Sequence, residues 1–124
     1  MTSGESESIN PERLFTFIDA MDLESFLSFI SKDGTFRFGS APAVVGHEAI
    51  QNDVGGFFES IAGLRHVLKR TIVSGSTVIC EGEVTYTRLD HSAITLPFTN
   101  IFEVTSGLIS EYKIYVDIAP LYAD

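Results

Sequence analysis

Cysteine occurs once, at Cys80, so no disulfide can close within the chain. A lone thiol fits a reducing compartment, and a cytoplasmic location is the expectation. With Val78 and Ile79 beside it and no cationic neighbour in sequence, Cys80 reads as a small buried hydrophobe rather than a reactive thiol. Basic residues are also scarce. Eight Lys and Arg stand against 17 Asp and Glu, a formal net charge of −9 at pH 7. Such a field repels phosphate backbones and anionic headgroups, which argues against nucleic acid and membrane surfaces as partners. No apolar run approaches the roughly 20 residues that cross a bilayer. Residues 1–8 carry Glu5 and Glu7 and lack the basic start and apolar stretch of a signal peptide, so they read as a disordered tail before a single domain over 9–124. The three histidines, His47, His66 and His91, share no ligand spacing, and no metal site is expected.

What the chain has in quantity is aromatic and aliphatic surface. It is 44% apolar with ten Phe and four Tyr over 124 residues, enough for one core. Asn10 as a cap and Pro11 at the first helical position open a helix whose apolar spacing, Leu14, Phe17, Ile18 and Met21, predicts one buried stripe. Asp22 caps a second helix, with Leu23, Phe26, Leu27 and Ile30 inside and Asp33–Gly34 as the stop. Thr35 to Phe38 alternates as a short strand, and Gly46 opens a third helix carrying Ile50, Val54, Phe57, Phe58 and Ile61. Gly55 and Gly56 in its middle suggest close packing or a bend.

Everything after Gly63 reads as strand: 64–73, 77–89, 93–104 and 108–116. The linkers Ser74-Gly75-Ser76, Asp90-His91-Ser92 and Thr105-Ser106-Gly107 have hairpin length and chemistry, so these strands should pair antiparallel. Strands this long must twist and coil, leaving a concave face. The expected fold class is α+β: three N-terminal helices and a short strand packed on a strongly curved antiparallel sheet of four long strands, around an apolar hollow.

Asp33-Gly34-Thr35-Phe36 ahead of Val45-Gly46-His47-Glu48-Ala49-Ile50, then Gly75-Ser76-Thr77-Val78, and Gly107-Leu108-Ile109-Ser110-Glu111-Tyr112 running on to Asp117 carry a likeness. Together with the element order, they make the chain from Asn10 to Tyr122 resemble the nuclear-transport-factor-2-like cone fold, in particular its SnoaL-like polyketide cyclase and ketosteroid isomerase branch. That resemblance implies a cofactor-independent pocket for a small hydrophobic molecule and a homodimer. It is uneven at the catalytic positions. Phe38 stands where ketosteroid isomerases place their proton-carrying aspartate, and Asn100 matches their second acid, an oxyanion donor. The arginine and two aspartates of limonene epoxide hydrolases fall near Gly82, Val84 and Ile114, and their water-holding tyrosine and asparagine near Phe36 and Phe38, so that chemistry is absent. Asp117 looks like the acid/base aspartate near the last strand's end in SnoaL-like cyclases.

Read on its own, each candidate keeps an alternative. Asp117 is either a carboxyl at an aromatic wall, where burial would raise its pKa, or a cap for the turn at Ile118, Ala119 and Pro120. His66 alternates with Leu64 and Leu68, either to relay a proton or orient a carboxylate, or as a core or subunit-interface histidine bonded to backbone. Asn100 shares the phase of Phe98 and Phe102 and needs a structural or ligand partner. His47 and His91 read as surface residues, and Glu81 to Glu83 as a solvated strand edge or outer surface. Phe17, Phe38, Phe58, Phe98 and Phe102, with Tyr86 and Tyr112, are the rings expected to line the hollow. Three functions fit: a cyclase- or isomerase-type enzyme, a non-catalytic carrier of an apolar metabolite, or a pairing module using Thr85, Thr87, Thr99 and Ile101 on the outer sheet face.

Overall fold

The computed structural model describes residues 9–123; the N-terminal tail expectation lies outside them. Helix α1 (Pro11–Asp19) begins as its sequence dictates, with Asn10 Oδ1 accepting the Arg13 N–H at 3.1 Å. Helix α2 (Leu23–Leu27) is capped by Asp22, which accepts from both the backbone N–H and the hydroxyl of Ser25. Strands β1 (Ile30–Phe38) and β2 (Val44–Val45) precede helix α3 (His47–Glu59). Gly46 leads into that helix at φ 92°, a left-handed conformation that favours glycine. Strands β3 (Gly63–Ser74), β4 (Thr77–Thr87), β5 (Ala93–Thr105) and β6 (Leu108–Tyr115) follow, then a 3-10 turn at Ala119–Tyr122.

The four long strands pair antiparallel in sequence, as their turns predict. The sheet, however, holds six strands in the order β2-β1-β6-β5-β4-β3, with β1 parallel to β6. The expected four-strand, wholly antiparallel sheet is therefore corrected to a curled mixed one. The second helix is also shorter than its apolar spacing suggests. Ile30 leaves the helix to pair with Ile109, and Ile109 N donates to Phe29 O at 2.8 Å, so a distant strand captures the residue. Helix α3 lies between β2 and β3 in sequence, after two strands rather than before the sheet.

Curvature has a local cause on β3 and β4. The register shifts between Leu68 and Arg70, opposite Gly82, and a Cβ on Gly82 would run into the Val67 carbonyl. Only glycine lets β3 press that close, and such irregularities increase twist. On the concave side, Leu14, Phe15 and Ile18 of α1, Phe26 of α2, and Ile50, Val54 and Phe58 of α3 meet Val84, Phe98, Phe102 and Tyr112 of the sheet. The far end is tied down by Arg88, which donates from Nε to Leu121 O and from Nη2 to Pro120 O, each at 2.9 Å. Outside, Arg70 meets Glu81 at 2.8 Å and Lys69 meets Glu83 at 3.5 Å, so the acidic pair belongs to the outer surface rather than to an edge.

Candidate functional site

The helices cover the curled sheet without filling it. They leave a cavity of about 560 Å³ between α1, α2, α3 and the inner face of β1, β3, β4, β5 and β6. That is within the range of small-molecule pockets, ~300–1,000 Å³. Its walls are mostly aliphatic and aromatic, including Ile18, Phe26, Phe36, Val54, Phe57 and Val84. Exposed lining residues Ser40, Ala41, Asp53, Asp117 and Ala119 mark its mouth. No lysine or arginine lines it, so no permanent cation in the walls would balance an anion brought in from solvent, and two carboxylates at the mouth oppose one.

Four polar side chains project inside: Asn100, His66, Tyr86 and Tyr112. Asn100, on β5 between Cys80 and Ile114, is 2% exposed. Its Oδ1 is enclosed and meets no donor, while Nδ2, also without a partner among the described residues, opens on the cavity. The phenol oxygens of Tyr86 and Tyr112 likewise make no hydrogen bond to the described residues and open on the hollow. Burial pushes both phenols well above their ordinary value; the neighbouring Tyr122 adds to this at Tyr86, and Cys80 and Tyr86 add to it at Tyr112. Both are neutral donors at any physiological pH. Cys80 lies fully buried under the sheet, its thiol pushed up by burial and drawn back partly by a Thr71 hydrogen bond. It is the inert hydrophobe its neighbours suggest.

His66 is held by a carboxylate rather than by backbone alone. Asp19, the last residue of α1, places Oδ1 2.6 Å from His66 Nδ1 and accepts the His66 backbone N–H on Oδ2 at 2.8 Å. Phe15 and Phe98 pack on the ring, with centroids 4.7 and 5.0 Å away. The other ring nitrogen, Nε2, has no hydrogen-bond partner among the described residues. Sequence reasoning missed Asp19, which lies 47 positions from His66. One signal was present: an acid at a helix C-terminus, with no basic residue in that turn, opposes the helix dipole by about 0.3–1 kcal/mol and needs a compensating partner.

The other candidates divide. Phe38, Phe58, Phe98, Tyr86 and Tyr112 line the cavity. Phe17 does not: it lies on the opposite side of α1 against Phe29, with Arg13 5.7 Å over its ring, while Phe15 takes the inward position. Phe102 is wholly buried against Phe15 and Tyr112 and does not line the cavity. Asp117 reaches the mouth but is exposed, and its Oδ1 accepts the Ala119 N–H at 3.1 Å, the capping arrangement. Of its two readings, the cap for the turn is found and burial at an aromatic wall is not. His47 is half-buried rather than on the surface, its Nε2 2.7 Å from Ile30 O. No group of three or more His, Cys, Asp or Glu among the described residues could hold a metal ion. No helix there is long and apolar enough to cross a membrane.

A covered, curled sheet with one polar-floored cavity has known counterparts. The family model for SnoaL-like domains matches residues 12–112. The chain belongs to the SnoaL-like family. Among solved structures, a nuclear-transport-factor-2-like protein of unknown function from Burkholderia pseudomallei superposes with a TM-score of 0.83 at 16% identity, over 98% of this chain and 95% of that one. TerC, co-crystallised with polyporic acid, gives 0.78 at 19%, over 88% and 89%. A candidate SnoaL-like polyketide cyclase from Jannaschia sp. CCS1 gives 0.78 at 20%, over 89% and 84%. Comparison with curated proteins by sequence finds no match. At these identities the structural likeness shows the fold alone; the chemistry of this SnoaL-like domain rests on its own side chains.

Proposed function

We propose that this SnoaL-like domain encloses a small, neutral, largely apolar carbonyl compound and moves a proton on it without a cofactor, as a cyclase or isomerase does. The observation that carries this is the pairing, in a hollow free of cations, of ligand-facing donors (Asn100 Nδ2 and the two phenols) with one unpartnered base, His66 Nε2. His66 takes a proton from the carbon beside the carbonyl, the C–H electron pair becomes the C=C bond, and the oxygen becomes an enolate. Asn100 and a tyrosine hold that oxygen, and His66 returns the proton to another carbon or to the product of ring closure. Asp117 at the mouth is the alternative proton carrier. The co-crystallisation of TerC, a structural neighbour, with polyporic acid supports reading the hollow as a site for an organic guest.

Deuterium exchange at the activated CH₂ of 2-tetralone, followed by NMR in D₂O, tests this. The wild type should accelerate exchange saturably, and His66→Gln and Asn100→Leu should each slow it about 100-fold. A matching loss in Asp117→Asn, with His66→Gln unaffected, would transfer the role to the rim carboxylate. Saturable binding with no exchange in any form would leave a carrier. A second property, pairing of two copies through the outer sheet face, is favoured by exposed Val67, Ile72 and Tyr115 beside the Thr85–Thr95 hydroxyl contact of 2.8 Å. Sedimentation at micromolar concentration should show a dimer.

A further inference from the structure

The Asp19–His66 contact constrains more than position. A carboxylate is acceptor-only, and here one oxygen is already committed to the His66 backbone N–H. The second, 2.6 Å from Nδ1, therefore takes the ring proton's hydrogen bond and leaves the lone pair on Nε2. Phe15 and Phe98 clamp the ring, so it cannot turn over to present its other edge. The result is a bare imidazole acceptor in a cavity whose other inner polar groups, Asn100 Nδ2 and the two phenols, can donate, while the carboxylate acceptors Asp53 and Asp117 stand at the mouth.

We propose that Asp19 is a positioning residue that fixes His66 as the Nδ1–H tautomer, so that the cavity selects ligands carrying an enol or phenol hydroxyl. This rests on the carbonyl-compound reading above, since an enol is the hydroxylated form of the same molecule. The hydroxyl donates to His66 Nε2, and that is also the atom placed to exchange a proton with the ligand.

Asp19→Asn separates tautomer from packing. The backbone N–H of His66 holds the amide oxygen, which turns the NH₂ towards Nδ1; Nδ1 must then accept, and the ring proton moves to Nε2. Long-range ¹H–¹⁵N correlation of the imidazole at neutral pH reads this directly. The expected result is Nδ1–H in the wild type and Nε2–H in D19N. In parallel, the wild type should bind 1-naphthol about tenfold more tightly than 1-methoxynaphthalene, and D19N should lose that preference. A wild-type ring protonated on Nε2, or on both nitrogens, overturns the proposal, and this measurement stands even if D19N fails to fold. So does a folded D19N that keeps Nδ1–H. If neither naphthalene binds the wild type, the cavity reading fails instead, while the tautomer still decides the role of Asp19.

Discussion

Asn100 is enclosed on all sides except at its amide nitrogen, and its Oδ1 lacks a donor. A buried, unpaired acceptor destabilises by about 1–3 kcal/mol, so its presence opposes folding and asks for another reason. Asn100→Leu, of similar shape, should therefore leave the fold as stable or raise its urea-derived stability by about 1 kcal/mol while slowing 2-tetralone exchange about 100-fold. A loss above 1 kcal/mol would make Asn100 a structural group. The phenols give a pH prediction. Folded Tyr86 and Tyr112 ionise above the unfolded phenol value of about 10, so the folded chain keeps protons that the unfolded chain sheds. Stability must then fall as pH rises past that value. The urea midpoint should drop between pH 9 and 11, roughly, and less steeply in a Tyr86→Phe, Tyr112→Phe double variant; equal slopes would refute the assignment. At this scale the sequence marked Asn100 through strand alternation with Phe98 and Phe102, because a two-residue period is rigid, and Tyr86 and Tyr112 as phenols on long strands facing an expected hollow. It could not mark Asp19, whose partner is set by how α1 lies on β3, nor choose Phe15 over Phe17, since both flank the same stripe and contacts with Phe98 and Phe102 decide.

Among elements, the four long strands were legible because connections of two to five residues leave little freedom in how neighbours pair. The parallel β1–β6 contact was not, because nothing in the local chemistry of residues 30–38 names a partner about 75 positions away. The glycine pair in α3 divides in the same way. A Cβ on Gly55 would touch Leu23 of α2 at 3.4 Å, whereas one on exposed Gly56 would meet nothing. Gly56→Ala should stabilise the protein by about 0.5–1 kcal/mol. Gly82→Ala, forced against Val67, should destabilise it by about 1–3 kcal/mol and weaken naphthol binding by relaxing the bend. Urea titration of both checks the account of where curvature originates; a neutral Gly82→Ala would remove that origin.

For the whole molecule, charge and shape restrict the guest together. Under the proposed function, a net charge of −9, Asp53 and Asp117 at the entrance and no lysine or arginine inside oppose an anionic guest, while aromatic walls suit flat, neutral rings. The chain read as a string conveyed the family fold, which follows from element order, and from composition the expectation of a small hydrophobic guest that the proposed function builds on. The pocket's working groups emerge only when α1 closes over β3 and β5. The most direct test is to follow the side-chain amide of Asn100 and the ring nitrogens of His66 by NMR while 2-tetralone is titrated into the folded wild-type protein. Both should shift saturably and together, as one ligand oxygen and its activated carbon settle between them. Saturable shifts confined to the outer sheet face, with Asn100 and His66 unmoved, would contradict the account.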